Sequence, residues 1–184
     1  MFSLRHFILK RVKPVFLNKK IKHQLLRGAM VIQVIGSPKA QTKDESKIFK
    51  LKEKTTIEGD HSLSTSEYET LKIQINDRYE LTLFPQSLLL MEGVFVKKDY
   101  DVESLDLKQG SFYLNEVKDK DDTLPPLKVK SDFYSFDLSR DKPVSFFVEV
   151  ISEKATLSWC NLGSELELHL YEHEVYQKLK TNES

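Results

Sequence analysis

The chain has 184 residues, 28 lysines and arginines against 28 aspartates and glutamates, and 11 Phe, 7 Tyr and one Trp. That is enough apolar and aromatic matter for one folded domain with a real core, and it excludes compositional disorder. Cys160 is the only cysteine, so no internal disulfide can form, and a reducing or matrix-like compartment is expected.

The equal totals conceal an uneven distribution. Residues 1–43 hold Arg5, Lys10, Arg11, Lys13, Lys19, Lys20, Lys22, Arg27, Lys39 and Lys43 and no acid at all. The first carboxylate is Asp44, and all 28 acidic residues follow, against 18 basic ones. Asymmetry of this kind signals a partner rather than a fold. We expect 1–43 to be a basic, partly helical N-terminal extension and 44–184 to be a single β-rich domain. After Pro14, a helix would place Leu17, Ile21 and Leu25 on one stripe. No hydrophobic region of a secretory signal is expected, because Lys10, Arg11 and Lys13 interrupt the apolar residues around them.

The first 28 residues resemble a mitochondrial presequence: basic, free of acid, able to form an amphipathic helix, with Arg27 just before Gly28 and Ala29. The resemblance implies a mitochondrial location, in the matrix or on the matrix side of the inner membrane. A cytoplasmic location is the alternative. The same stretch also suits an uncleaved arm on a polyanion. Arg5, Lys10, Arg11, Lys13, Lys19, Lys20, Lys22 and Arg27 would meet phosphates of rRNA or an anionic lipid, and Phe2, His6, Phe7, Phe16 and His23 could stack on bases. A third reading is a solvated, partly helical extension that packs on the chain's own acidic body or on a neighbour.

From Phe49 the period is two. "FKLKEKTTI" sets Phe49, Leu51 and Ile57 against lysines. "STSEYETL" (64–71) is expected to form a short helix capped by Ser64 or Ser66. "LKIQI" and "YELTLF" flank Asn76-Asp77 and predict a hairpin. "LLLMEGVFV" (88–96) is apolar on both faces, which predicts a central strand with a bulge at Gly93. It is among the longest apolar runs and falls far short of the roughly 20 residues of a membrane-spanning helix.

"SLDLKQGSFYLNEV" predicts two strands about a Gln109-Gly110 turn, and "KDKDDTLPP" (118–126) a charged loop. "LKVKSDFYSFDL", "VSFFVEVI", "ATLSWCNL" and "ELELHLY" add strands, and "EHEVYQKLK" (172–180) a short C-terminal helix. About eight to ten short strands with regular turns predict a mainly β protein, an antiparallel β-sandwich or barrel-like sheet. The order "LKIQINDRYELTLF…LLLMEGVFV" is echoed by "LKVKSDFYSFDL…VSFFVEVI", a likeness that any two sets of antiparallel strands share.

No phosphate-cradling, nucleophile-elbow or zinc-protease motif occurs in the sequence. His169 and His173 stand four apart among Glu167, Glu172 and Glu174, but the first falls in a strand pattern, so a zinc site is not expected. Cys160 has no histidine beside it in sequence, and the expected role is a buried structural thiol. The acidic stretches lack the spacing of a calcium loop. Phe133, Tyr134, Phe136, Phe146 and Phe147 occupy both strand faces; they either fill a core or meet a partner. The expectation is therefore a non-catalytic accessory or scaffold subunit of a mitochondrial assembly, such as a respiratory complex, the ATP synthase or the mitoribosome. It would have no cofactor and would contact other subunits. The alternative is an RNA-binding protein that uses the basic arm. An enzyme with an unrecognised site is the third class.

Overall fold

The structure is a computed structural model that describes residues 28–97, 99–117, 126–132, 134–138, 145–151, 154–159, 166–170 and 176–179, with backbone alone from 151 onward. Among them lie fifteen strands. In chain order they are β1 (Ala29–Ile35), β2 (Lys39–Thr42), β3 (Ile48–Lys50), β4 (Thr56–Ile57), β5 (His61–Ser64), β6 (Thr70–Ile75), β7 (Tyr79–Leu83) and β8 (Leu88–Val96). There follow β9 (Asp99–Glu116), β10 (Lys128–Ser131), β11 (Tyr134–Asp137), β12 (Ser145–Ile151), β13 (Lys154–Trp159), β14 (Leu166–Leu170) and β15 (Tyr176–Leu179). The protein is mainly β, a curled half-barrel sheet. Every strand pair is antiparallel except β9–β10, which is parallel.

Period-two sequence accounts for the strands. In β6, Leu71, Ile73 and Ile75 are fully buried while Lys72 and Gln74 are not. The hairpin about Asn76-Asp77 forms in the expected place, with Leu71 opposite Leu83 and Ile73 opposite Leu81. Asn76 and Asp77 both take positive φ, 48° and 53°, the conformation such a tight turn requires.

The sheet is folded along a line into two leaves. β9 belongs to both. Its first part pairs with β8 and β10, its last part with β7 and β12. β7 and β8 run antiparallel to β9 in succession, with Leu83 opposite Phe112 and Leu88 opposite Gln109. They are one long arm, bent at residues 84–87. The neighbouring arm β5–β6 bends at 65–69, and β2–β1 bends at 36–38. The upper leaf runs β4-β1-β6-β7-β9-β12-β13. The lower leaf runs β3-β2-β5-β8-β9-β10-β11-β14-β15. Their inner faces make one core, in which Phe146 of the upper leaf meets Phe136 of the lower at 5.4 Å between ring centres.

Polar side chains replace the strand ladder at the corners. Ser87 donates its N–H to Thr65 Oγ1 (3.1 Å) and its hydroxyl to the Ser111 carbonyl (3.1 Å). Ser111 returns its N–H to Ser87 Oγ (2.9 Å). Glu69 accepts from the N–H groups of Ser37 (3.0 Å) and Ser66 (2.8 Å), so one carboxylate joins two corners.

At the opposite end a single side chain closes the curl. Asn76 is 3% exposed. Its Oδ1 accepts from the N–H groups of Val102 (3.0 Å) and Gly28 (3.2 Å), and its Nδ2 donates to the Val102 carbonyl (2.7 Å). A turn of the upper leaf thus pairs with β9 of the lower one.

Several expectations are corrected. The stretch around Gly110 is one continuous strand of 18 residues: Gly110, with φ 82°, bends the chain where a tight turn would have reversed it. "FKLKEKTTI" is divided between β3 and β4, one in each leaf. The helix expected over 64–71 is a single turn between β5 and β6. Ser64 lies in β5 and the Ser66 N–H donates to Glu69, but no helix follows, because β6 begins at Thr70. Residues 29–42 are no extension, because Ala29, Val31 and Ala40 are buried in the sheet. The boundary at 43 therefore fails, and the body begins by Gly28. Of the expected C-terminal helix, 172–175 and 180 lie outside the described residues, and Tyr176–Leu179 is a strand paired with β14. The two echoed stretches each begin with a hairpin, β6–β7 and β10–β11, but the first joins β9 through its second strand and the other through its first.

A Cβ at Gly110 would lie 2.6 Å from Ser87 Cα and 2.7 Å from the Gln86 carbonyl oxygen, on backbone that cannot retreat. Gly110→Ala is expected to cost about 2–4 kcal/mol in urea unfolding, from the left-handed backbone and the overlap together. Gly59→Ala, at φ 100° with only a distant contact at 3.8 Å, should cost about 1–2 kcal/mol. Equal losses would contradict the corner account.

Candidate docking face

The outer face of the lower leaf carries a row of charged side chains of alternating sign. In β9 the period of two turns Leu105 and Leu107 into the core and leaves Asp106 and Lys108 on the other face. Neighbouring strands supply the rest. Lys43 bridges Asp60 (3.3 Å) and Glu92 (2.9 Å). Lys130 bridges Glu92 (3.0 Å) and, at 3.8 Å, Asp106. Lys108 bridges Asp106 (3.1 Å) and Asp132 (2.5 Å). Most of these groups are partly exposed, and exposed ion pairs are worth at most about 1 kcal/mol each. What the row provides is a fixed pattern of charge on a rigid face.

Two clefts meet at Lys43, Asp60 and Glu92. One, of about 350 Å³, has Leu88 and Leu90 with Gln41 and Ser62 on its walls. The other, of about 510 Å³, is walled by Gly93, Glu103, Ser104, Lys128 and Asp137. Asp60 is drawn upward by burial, yet hydrogen bonds from Tyr100 Oη (2.7 Å), the Gly93 N–H (3.1 Å) and Lys43 hold its carboxyl below the usual range. Burial and the same Asp60 contact push the Tyr100 phenol up. Hydrogen bonds from Lys43 and Lys130 hold Glu92 down, and Lys43 is raised by its bonds to Glu92 and Asp60.

The β8–β9 hairpin runs on beyond this face. The β5 pairing of β8 stops at Met91 opposite His61. After the bulge at Gly93, as expected from the sequence, Val94, Phe95 and Val96 are 40%, 64% and 41% exposed in succession. The expectation of a central strand thus holds for Leu88–Met91 and fails for the end of β8. The bulge depends on the missing side chain, since a Cβ at Gly93 would fall 2.0 Å from the Asp101 carbonyl oxygen.

Arg5, Lys10, Arg11, Lys13, Lys19, Lys20, Lys22 and Arg27 all lie outside the described residues, as do Phe133, Cys160 and His173. The backbone of His169 sits in β14 opposite Ser135 and Tyr176. Among the described residues no group of three His, Cys, Asp or Glu could hold a metal ion, and no helix is long and apolar enough to cross a membrane. Of the aromatic residues, Tyr134, Phe136 and Phe146 are in the core. Phe147 instead packs edge-on against Phe84 at 5.8 Å. His61, which sequence reading passed over, is a packed histidine, with Nδ1 2.9 Å from the Gly59 carbonyl oxygen and Phe49 at its ring. No protein-family model, curated protein or solved structure matches the chain.

The folded-state value of Glu92 lies below its ordinary value of 4.5. Its ionic contacts therefore stabilise the fold above that ordinary value and are lost as pH falls through the folded one. In a melting series from about pH 6 to 3, Glu92→Gln should show a shallower loss of Tm on acidification than the wild type. Parallel curves would mean that the row contributes nothing to the acid limb.

Proposed function

We propose that the chain is a non-catalytic scaffold subunit of a multiprotein assembly, docking through the lower leaf and the hairpin that extends from it. One observation carries the reading: Val94, Phe95 and Val96 stand exposed in a row at the end of β8, beside a rigid face of patterned charge. Three consecutive exposed apolar residues on a strand are a liability that single soluble domains avoid. A covering partner removes that liability.

The compartment is a separate proposal, resting on the sequence of residues 1–27 alone. Eight of the 28 basic residues fall there and none of the 28 acids. A segment drawn by a membrane potential gains from that composition, which supports an assembly in the mitochondrial matrix. A segment held by phosphates gains equally, and that favours the second reading, RNA binding through the same stretch.

The test uses the full chain, tagged and expressed in its own cells. On native gels the wild type should run in a large complex and Phe95→Asp as free protein, with the melting temperature lowered by no more than about 5 °C, since the side chain is 64% exposed and loses only its ring contact with Tyr100 at 5.1 Å. A variant that still enters the complex would refute docking through the hairpin. For the compartment, Lys19→Glu, Lys20→Glu and Lys22→Glu together should abolish mitochondrial location. Unchanged location removes that proposal, and loss of RNA on purification, with location intact, favours the second reading.

A further inference from the structure

The end of β8 has a free edge. Residues 92–96 pair with β9 on one side, and among the described residues no strand lies on the other. The Gly93 N–H points away from β9, because it donates to Asp60 Oδ1. Its partner Val102 likewise turns its N–H and carbonyl away from β8, to Asn76. Antiparallel pairs alternate between bonded and non-bonded. Phe95, two residues on and opposite Tyr100, therefore presents its N–H and carbonyl outward at the same edge.

Carboxylates outnumber lysines around this edge. Asp60 lies at its start, and Glu92 and Glu103 stand with Asp60 around the cleft of about 510 Å³ that Gly93 helps to wall. All three carboxylates act on the Tyr100 phenol to raise it, which places them within reach of one point at the base of the hairpin. Lys43 answers Asp60 and Glu92, Lys130 also answers Glu92, and Lys128 lines the same cleft, so its walls carry Asp60, Glu92, Glu103 and Asp137 against Lys43 and Lys128. Whatever lies along the edge meets apolar side chains on the strand and excess negative charge beside it.

We propose that the Gly93–Val96 edge accepts one extended strand from a protein partner, apolar at alternate positions and carrying lysine or arginine between them. The added strand exchanges hydrogen bonds with Phe95, covers Val94, Phe95 and Val96, and sends a basic side chain into the carboxylate-walled cleft. The position continues the line of β5, whose pairing with β8 ends at His61, so the partner fills a place that the sheet already defines. This rests on the reading of the chain as a docking subunit and names the chemistry of what docks.

The experiment is amide hydrogen exchange on the full chain with a short synthetic peptide of alternating lysine and valine. The Phe95 amide should exchange about tenfold more slowly at saturating peptide, with shifts in the Glu92 and Glu103 carboxylate signals. A glutamate–valine peptide should give no protection, and the lysine–valine peptide should leave the Glu92 and Glu103 signals of Phe95→Pro, which lacks the donor, unshifted. Absence of protection, equal protection by both peptides, or the same carboxylate shifts in Phe95→Pro would each overturn the proposal. If the peptide fails while Phe95→Asp still breaks the assembly, strand addition alone falls. If the peptide binds but Phe95→Asp leaves the assembly whole, the scaffold reading falls.

Discussion

The bends of adjacent arms fall side by side, and the architecture depends on that alignment. A strand that bends alone leaves its neighbours' N–H and carbonyl groups without partners, at about 1–3 kcal/mol for each buried group. Here the bend at Gly110 lies against the one at 84–87, which lies against 65–69, which lies against 36–38. The groups freed at each bend are taken up by Thr65, Ser87 or Glu69. One sheet thereby covers both sides of its own core.

Folding the sheet in this way decides what is left outside. The β8–β9 hairpin is longer than the strands beside it and extends past them. Its base is fixed from two directions. Asn76 grips Val102 from the upper leaf, and Asp60 grips Gly93 and Tyr100 from the start of β5. Close to Asn76, Arg78 and Glu116 form a buried ion pair at 2.6 Å, each only 5% exposed. Removing one member of such a pair strands the other charge in the interior, so the turn that carries Asn76 is held in place. A hairpin anchored like this can present Val94, Phe95 and Val96 without rearranging to meet a partner, and association then costs less ordering.

The sequence made some of this legible. Alternation located β6 and β7, an unbroken apolar run located the first half of β8, and a lone glycine marked the bulge at 93. Gly110 misled for a physical reason: a positive φ serves a reversal and a bend equally, and the neighbouring arm decides which forms. Charge counting pointed to residues 1–43, whereas the charged face of the lower leaf draws on Lys43 together with Asp60, Glu92, Asp106 and Lys130. These residues meet only through cross-strand pairing, which no local pattern reveals. A signal was present, however. Asp106 and Lys108, like Lys128 and Lys130, stand two apart in apolar strands, the mark of a charged outer face.

The central claim is that the aligned corners make two leaves into one cooperative body. Native-state amide exchange of the full chain against urea tests it most directly, comparing Ile73 of the upper leaf with Leu63 and Leu89 of the lower. The account predicts that the three amides lose protection together, with a common free energy and a common dependence on urea. If the lower leaf opens at distinctly lower urea than the upper, the corners do not couple the leaves and the account is wrong.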